Sequence, residues 1–248
     1  MPIIKFHKPT NKIGGTIVEI CTKKSRIILD MGADLPEYDN PNKKQVIPQI
    51  EGVTFGIPRC DGVFITHYHG DHVGLYSKVL KGVQIYSGKA TKEMLLVKEK
   101  RLEAGKRIEN GSSLLVEGFD TFNIGKGKSY GDIKITPFLV DHSAFDAYMF
   151  LVEAEGKKIL YTGDFRMHGF RGKGVIPMLK KYVGSVDLII TEGTMFSRSE
   201  NEPRTENELS KQLIEIMKEY KYVFLLCSST NIDRIAGASS AAGVFQRI

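Results

Sequence analysis

Residues 63–74 read VFITHYHGDHVG. The stretch opens as an apolar, β-branched run of the kind found in buried strands. It leads directly into His67, His69, Asp71 and His72, with Gly70 placed to turn the chain between the two pairs. His67 and His69 are two residues apart, so in extended chain they point the same way. Asp71 and His72 follow the bend, so one turn offers ligands on both of its sides. Three imidazoles and a carboxylate within residues 67–72 suit a divalent metal such as zinc. The bland alternative, a histidine-rich surface loop, does not explain so many ligand types at one strand end.

Working outward, residues 16–21 (TIVEIC) and 26–30 (RIILD) flank TKKS and predict a hairpin. Residues 31–61 hold Pro36, Pro41, Pro48 and Pro58 and read as irregular. Strands are expected at 83–86, 133–140, 148–153, 158–162 and 186–191, with a hairpin turn at Glu155-Gly156. Residues 73–80 and 91–103 read as helices. His142 closes the strand ITPFLVDH, and Asp164 follows ILYTG, so both sit where a strand opens into a loop. Taken singly, each reads as structural. Beside the first cluster, they read as further ligands.

The clearest helix is 205–220. Thr205 and Glu208 form a capping-box pattern, and Leu209, Leu213, Ile216, Met217 and Tyr220 share one face. A strand is expected at 223–227 (VFLLC). Residues 236–243 (AGASSAAG) are all small, which fits either a helix against a close neighbour or a flexible tail.

A length of 248 residues, 42% hydrophobic and 26% charged, implies one large domain or one domain plus a fragment, and argues against disorder. The net charge of +6 favours anionic partners or is simply a solvated surface. Cys21, Cys60 and Cys227 form no CxxC and no disulfide framework, which points to a reducing compartment. The start, MPIIKFHKPT, lacks the apolar run of a signal peptide, and no stretch is long enough to cross a bilayer. A cytoplasmic protein without a membrane partner is expected.

The HxHxDH at 67–72, followed by His142 and Asp164, resembles the metallo-β-lactamase superfamily, and Leu29-Asp30-Met31-Gly32 looks like that family's second strand and its following glycine. The resemblance implies an α/β fold, a four-layer αββα sandwich (α+β type) with a two-metal site at one edge. It implies that His67, His69 and His142 hold one divalent ion. It further implies that Asp71 and His72 hold a second and that Asp164 bridges the two. Zinc is expected, with manganese as the alternative. The chemistry implied is hydrolysis by a water that the metal pair activates, with Asp71 orienting the attacking group and Asp71 and Asp164 as the catalytic carboxylates.

Beyond residue 190, the order of Thr191-Glu192-Gly193-Thr194, a helix, a strand and Ser228-Ser229-Thr230-Asn231 resembles the β-CASP nucleases, RNase J-type ribonucleases in particular. That branch implies an RNA or other phosphate-bearing substrate. It also implies that Glu192 and Asp146 orient metal-bound histidines, and that Arg166 and Arg198 contact substrate phosphates. The expected organisation is a metallo-β-lactamase domain over 1–197. Residues 198–248 would then be an incomplete start of a β-CASP-like region or the remainder of the sandwich. No histidine follows His168, whereas the family uses one more metal-binding histidine near the end of its metallo-domain. The resemblance therefore implies a chain without the sandwich's final strand and helix. Its second site would be weaker, and an exposed sheet edge would invite homo-oligomers. The last ligand would come from water, substrate phosphate or a second subunit, or the chain would bind one metal. Two other functions stay open: a small-molecule thioester or lactone hydrolase, and an inactive metal-binding fragment.

Overall fold

In the computed structural model, the described residues are 1–36, 44–108, 110–196 and 203–245. Two sheets face each other because several strands are apolar on both sides. The first sheet runs β1 (Ile3–Phe6), β2 (Val18–Cys21), β3 (Arg26–Leu29), β4 (Gly62–Phe64), β5 (Ile85–Ser87) and β6 (Asp120–Thr121) in spatial order. Its first three strands are antiparallel, and β3 to β6 are parallel. The second sheet comprises β7 (Lys128–Tyr130), β8 (Ile133–Val140), β9 (Ala147–Ala154), β10 (Lys157–Tyr161) and β11 (Leu188–Ile190), ordered 11-10-9-8-7. Only β10 and β11 pair in parallel.

The alternation explains the layers. In β3, Ile27 and Leu29 point between the sheets while Ile28 points to the outer layer, and all three are fully buried. In β9, Tyr148, Phe150 and Val152 point inward, and Met149 and Leu151 point outward. Phe64 meets Phe150 edge-on across the gap, with ring centroids 6.3 Å apart. The outer faces are covered by helices: Leu95 of α2 (Lys89–Ala104) and Val116 of α3 (Ser112–Glu117) belong to the outer cluster with Ile28 and Val63. Val175 of α4 (Gly172–Met178) joins the same cluster with Met149 and Leu160. This is the expected αββα arrangement. At one end the sheets are stitched together, as Tyr148 N donates to Thr66 O at 3.1 Å.

Two local expectations change, and one open alternative is decided. No helix spans 73–80: a single turn, α1 (Gly70–Val73), ends where that helix is expected to begin, and a 3₁₀ turn follows at Tyr76–Lys78. Gly32 accounts for the tight seat of that turn: a Cβ on it would lie 1.8 Å from the Asp71 carbonyl oxygen. Residues 223–227 form no regular element, no strand among the described residues pairs with them, and Phe224 and Leu226 are 97% and 100% exposed. Composition favours a strand there, yet a strand needs a neighbour to take its backbone groups. The small-residue run lies inside α6 (Ile232–Val244), where a Cβ on Gly237 would come within 2.6 Å of Ser210 Oγ on α5 (Glu206–Glu219). It is a close helix contact, the first of the two readings. Thr205 caps α5 with the full reciprocal box: Glu208 N donates to Thr205 Oγ1, and Thr205 N donates to the Glu208 carboxylate.

Candidate metal centre

The site is built at the end where β3, β4, β8 and β10 finish. Asp30 follows β3, is fully buried, and takes a left-handed backbone conformation (φ 61°) that is uncommon for a residue with a Cβ. Its carboxylate accepts from Thr66 N at 2.7 Å, from Thr66 Oγ1 at 3.0 Å, from Tyr161 OH at 2.7 Å and from His72 Nδ1 at 2.8 Å. A bond to Asp30 at Nδ1 fixes the His72 ring and leaves Nε2 facing outward, the arrangement in which a carboxylate orients a metal-binding histidine. Thr66 Oγ1 has one proton. Given to Asp30, it leaves the oxygen to accept from His67 Nδ1, 3.0 Å away, so His67 Nε2 carries its lone pair toward the site.

Two groups of donors result. His67 Nε2 and His142 Nε2 lie 3.1 and 3.2 Å from His69 Nδ1. His72 Nε2 lies 3.1 Å from Asp164 Oδ1, and the other oxygen, Oδ2, lies 3.9 Å from His142 Nε2. His67, His69 and His142 can hold one ion, and His67, His72 and Asp164 also converge tightly enough to do so. Asp71 stands at the edge, its Oδ2 4.0 Å from His72 Nε2.

The electrostatics of the two groups differ in sign. Burial, reinforced by the neighbouring histidines, drives the His67 pKa well below its ordinary value. Burial lowers that of His69 as well, against the pull of Asp71. His142 is pushed down to about 3, chiefly by burial and then by His69. These rings are neutral at pH 7, the form that binds metals. For His72, burial opposes the charge, but Asp30 and Asp164 outweigh it and raise the pKa well above its usual value. Burial acts against ionisation of Asp164 too, and its bond to His72 overcomes that and lowers its pKa.

The donor set fits a divalent cation. With metal–nitrogen bonds of about 2.0–2.1 Å, the edge of a tetrahedral site is about 3.3 Å, close to the 3.1 and 3.2 Å spacings found here. With His69 protonated at Nε2, the three nitrogens facing one point all carry lone pairs and cannot hydrogen-bond one another. A cation at that point would take all three lone pairs.

The other expected site residues behave differently. Asp146 touches none of these histidines. Its carboxylate accepts from Thr91 N at 2.7 Å and Tyr148 OH at 2.6 Å, so it caps the first turn of α2, whose own N-cap is Gly88. Glu192 accepts from Phe165 N at 2.9 Å and so holds the loop after Asp164 rather than a histidine ring. Arg166 does not reach toward a substrate, because it is bound on three sides by Asp141, Glu206 and Asp233. Arg198 lies outside the described residues. Sequence reasoning missed the work of Asp30, Thr66, Tyr161 and Tyr68. The usable signal was an acid ending an all-apolar strand, RIILD, beside the strand that carries the histidines.

A cavity of about 380 Å³ opens on the Asp71, His72 and Asp164 side, and Lys12, Thr16 and Glu192 also line it. On the opposite side Tyr68, between two of the histidines, donates to Thr230 O at 2.8 Å and accepts from Phe145 N at 3.0 Å.

A two-sheet α/β sandwich with a His/Asp cluster at its strand ends defines a class of metal-site proteins. Residues 25–222 match the family model described as a beta-lactamase superfamily domain, and the chain belongs to that superfamily. RNase J proteins are among the curated proteins similar to it. An RNase J-like protein of Methanocaldococcus jannaschii is 28% identical over 225 residues, covering 88% of this chain and 48% of the relative. Ribonuclease J of Mycobacterium tuberculosis is 25% identical over 240 residues, covering 94% and 41%. The chain thus spans about half or less of the length of these relatives. A crystal structure of a protein of unknown function from Enterococcus faecalis shares the fold, with a TM-score of 0.79 at 23% identity, over 96% of this chain and 63% of that one. Among the described residues no helix is long and apolar enough to cross a membrane.

Proposed function

We propose that the chain is a metal-dependent hydrolase acting as a phosphodiesterase on RNA. His67, His69 and His142 would hold one divalent ion, Asp71 and His72 a second, and Asp164 would stand between them. The observation that carries this reading is Asp164, whose two oxygens face the two halves of the cluster separately. Zinc suits the imidazole-rich half, and manganese is the alternative for the more oxygen-rich half. Such ions, when bound, acidify a water and neutralise charge that develops on the phosphoryl group.

The chain's own groups supply the rest. The Asp71 side chain makes no hydrogen bond among the described residues, so it is free to orient the attacking water. Asp30 and Thr66 fix which nitrogens of His72 and His67 face the reaction. Glu192 keeps the loop after Asp164 in place. RNA as substrate is supported by the names of the relatives, by the net charge of +6 and by the cavity beside Asp164. The organisation that goes with this reading is a metal-bearing unit over 1–197, with 198–248 belonging to a β-CASP-like region or to the remainder of the sandwich.

The test is metal content on protein purified without added metal, followed by cleavage of a 5′-labelled oligoribonucleotide across a salt series. Two ions per chain and cleavage that weakens steeply with salt are expected. Salt-independent turnover of thioesters or lactones, with RNA left intact, would replace this reading with that of a small-molecule hydrolase.

A further inference from the structure

Asp164 and His142 hang from strands that are not neighbours. β9 lies between β8 and β10, so the loops that follow β8 and β10 are about two strand spacings, roughly 10 Å, apart at their roots. No hydrogen bond of the sheet joins the two loops directly. Arg166 does so instead. Its backbone N donates to Asp141 O at 2.7 Å, and its Nε donates to Asp141 Oδ1 at 3.0 Å. Asp141 precedes His142, and Arg166 is two residues past Asp164, so this double link joins the two ligand loops directly.

The same guanidinium has two further prongs. One nitrogen donates to Glu206 Oε1 at 3.1 Å, in the first turn of α5, and the other to Asp233 Oδ2 at 2.7 Å, in the first turn of α6. Arg234 then grips both oxygens of Glu206, at 2.8 and 3.0 Å. Asp141, Glu206 and Asp233 are 0%, 2% and 6% exposed, so the cluster is a built interior feature and not a set of surface pairs. A planar fork with donors in fixed directions suits this task, whereas a lysine brings its three donors to a single point.

We propose that Arg166 is a positioning residue of the metal centre: it sets the separation of His142 and Asp164 and couples it to the docking of α5 and α6. The inference rests on the metal-site reading given above. It predicts that residues on α5 and α6, which touch none of the proposed ligands, influence how metal is held.

The experiment is a cobalt(II) titration of the full chain, reading affinity and the visible d–d spectrum, with circular dichroism confirming the fold at the working temperature. The proteins are wild type, Arg166→Met, Arg166→Lys, Glu206→Gln and Asp233→Asn. Arg166→Met is expected to lose about 10–100-fold in affinity, the range for residues that orient ligands, and to change the spectrum. Arg166→Lys should recover part of both, and Asp233→Asn should give a smaller shift of the same kind. Should Arg166→Met fail to fold, the other three carry the test. Unchanged affinity and spectrum in the folded variants overturns the proposal while leaving the metal site standing. A wild-type chain that binds no cobalt overturns the metal reading, and this inference with it.

Discussion

The two halves of the centre solve different problems. On the Asp30 side, His72 is held between two carboxylates, and every strong donor around Asp30 has its acceptor. That half is balanced by the protein itself. On the other side, His67, His69 and His142 crowd three neutral rings around one point, with Asp164 Oδ2 3.9 Å from His142 Nε2. That half leaves lone pairs that a cation would take. The difference teaches that a single centre can contain one part that stabilises the fold and another that the fold must hold open.

The largest effect is expected at Asp30. Asp30→Asn removes the charge and turns an amide toward donors, which should cost about 3–5 kcal/mol, as for other broken buried pairs. Urea unfolding of metal-free protein measures it, and a loss under 1 kcal/mol would mean that this half does not stabilise the fold.

Next comes His142→Ala. In metal-free protein it should cost no more than about 2 kcal/mol. Zinc at a thousandfold excess over its dissociation constant should stabilise wild type by about 4 kcal/mol, and the variant should lose most of that gain. Thermal melts with and without zinc separate the two. Equal gains in both proteins would contradict the division between the halves.

The pH dependence should run in opposite directions on the two sides. His142, His67 and His69 have folded pKa values below the unfolded value of 6.5. Between about 6.5 and 3 the unfolded chain binds more protons, so stability falls as pH falls through that window. The folded pKa of His72 is raised, so its contribution is fully present below 6.5 and is lost as pH climbs through the higher folded value. Metal-free unfolding curves should therefore show a shallower acid-side slope for His142→Ala than for wild type. An unchanged slope would remove the electrostatic contrast.

The smallest effect belongs to Asp146→Asn, which lies in neither half. It should cost about 1 kcal/mol, the usual scale for a helix cap, and leave metal stoichiometry unchanged. A lost ion would return Asp146 to the centre.

Much of this centre was legible in the residues. His67, His69, His72, His142 and Asp164 come together as their positions at strand ends implied, and the αββα layers are those that the resemblance to the metallo-β-lactamase superfamily implied. Other features were hidden for identifiable reasons. Asp30 acts through Thr66, His72 and Tyr161, which are 36, 42 and 131 residues away. Asp146 and Glu192 carry the right charge for orienting histidines, but backbone N–H groups of Thr91 and Phe165 claim them. The apolar run 223–227 has the composition of a strand and no neighbour among the described residues to make it one.

What the sequence determined alone is the local chemistry: ligand types, their spacing along a turn, the capping of α5 and the two-faced burial of the strands. These depend on residues near one another in the chain, where the periods of strand and helix fix geometry. The tertiary structure decided which partners the charged groups find. Arg166 illustrates it: as a residue it offers a phosphate contact, and in the fold its charge is spent on Asp141, Glu206 and Asp233. Charge is a property of the side chain, but its use depends on which opposite charges the folded chain brings within reach.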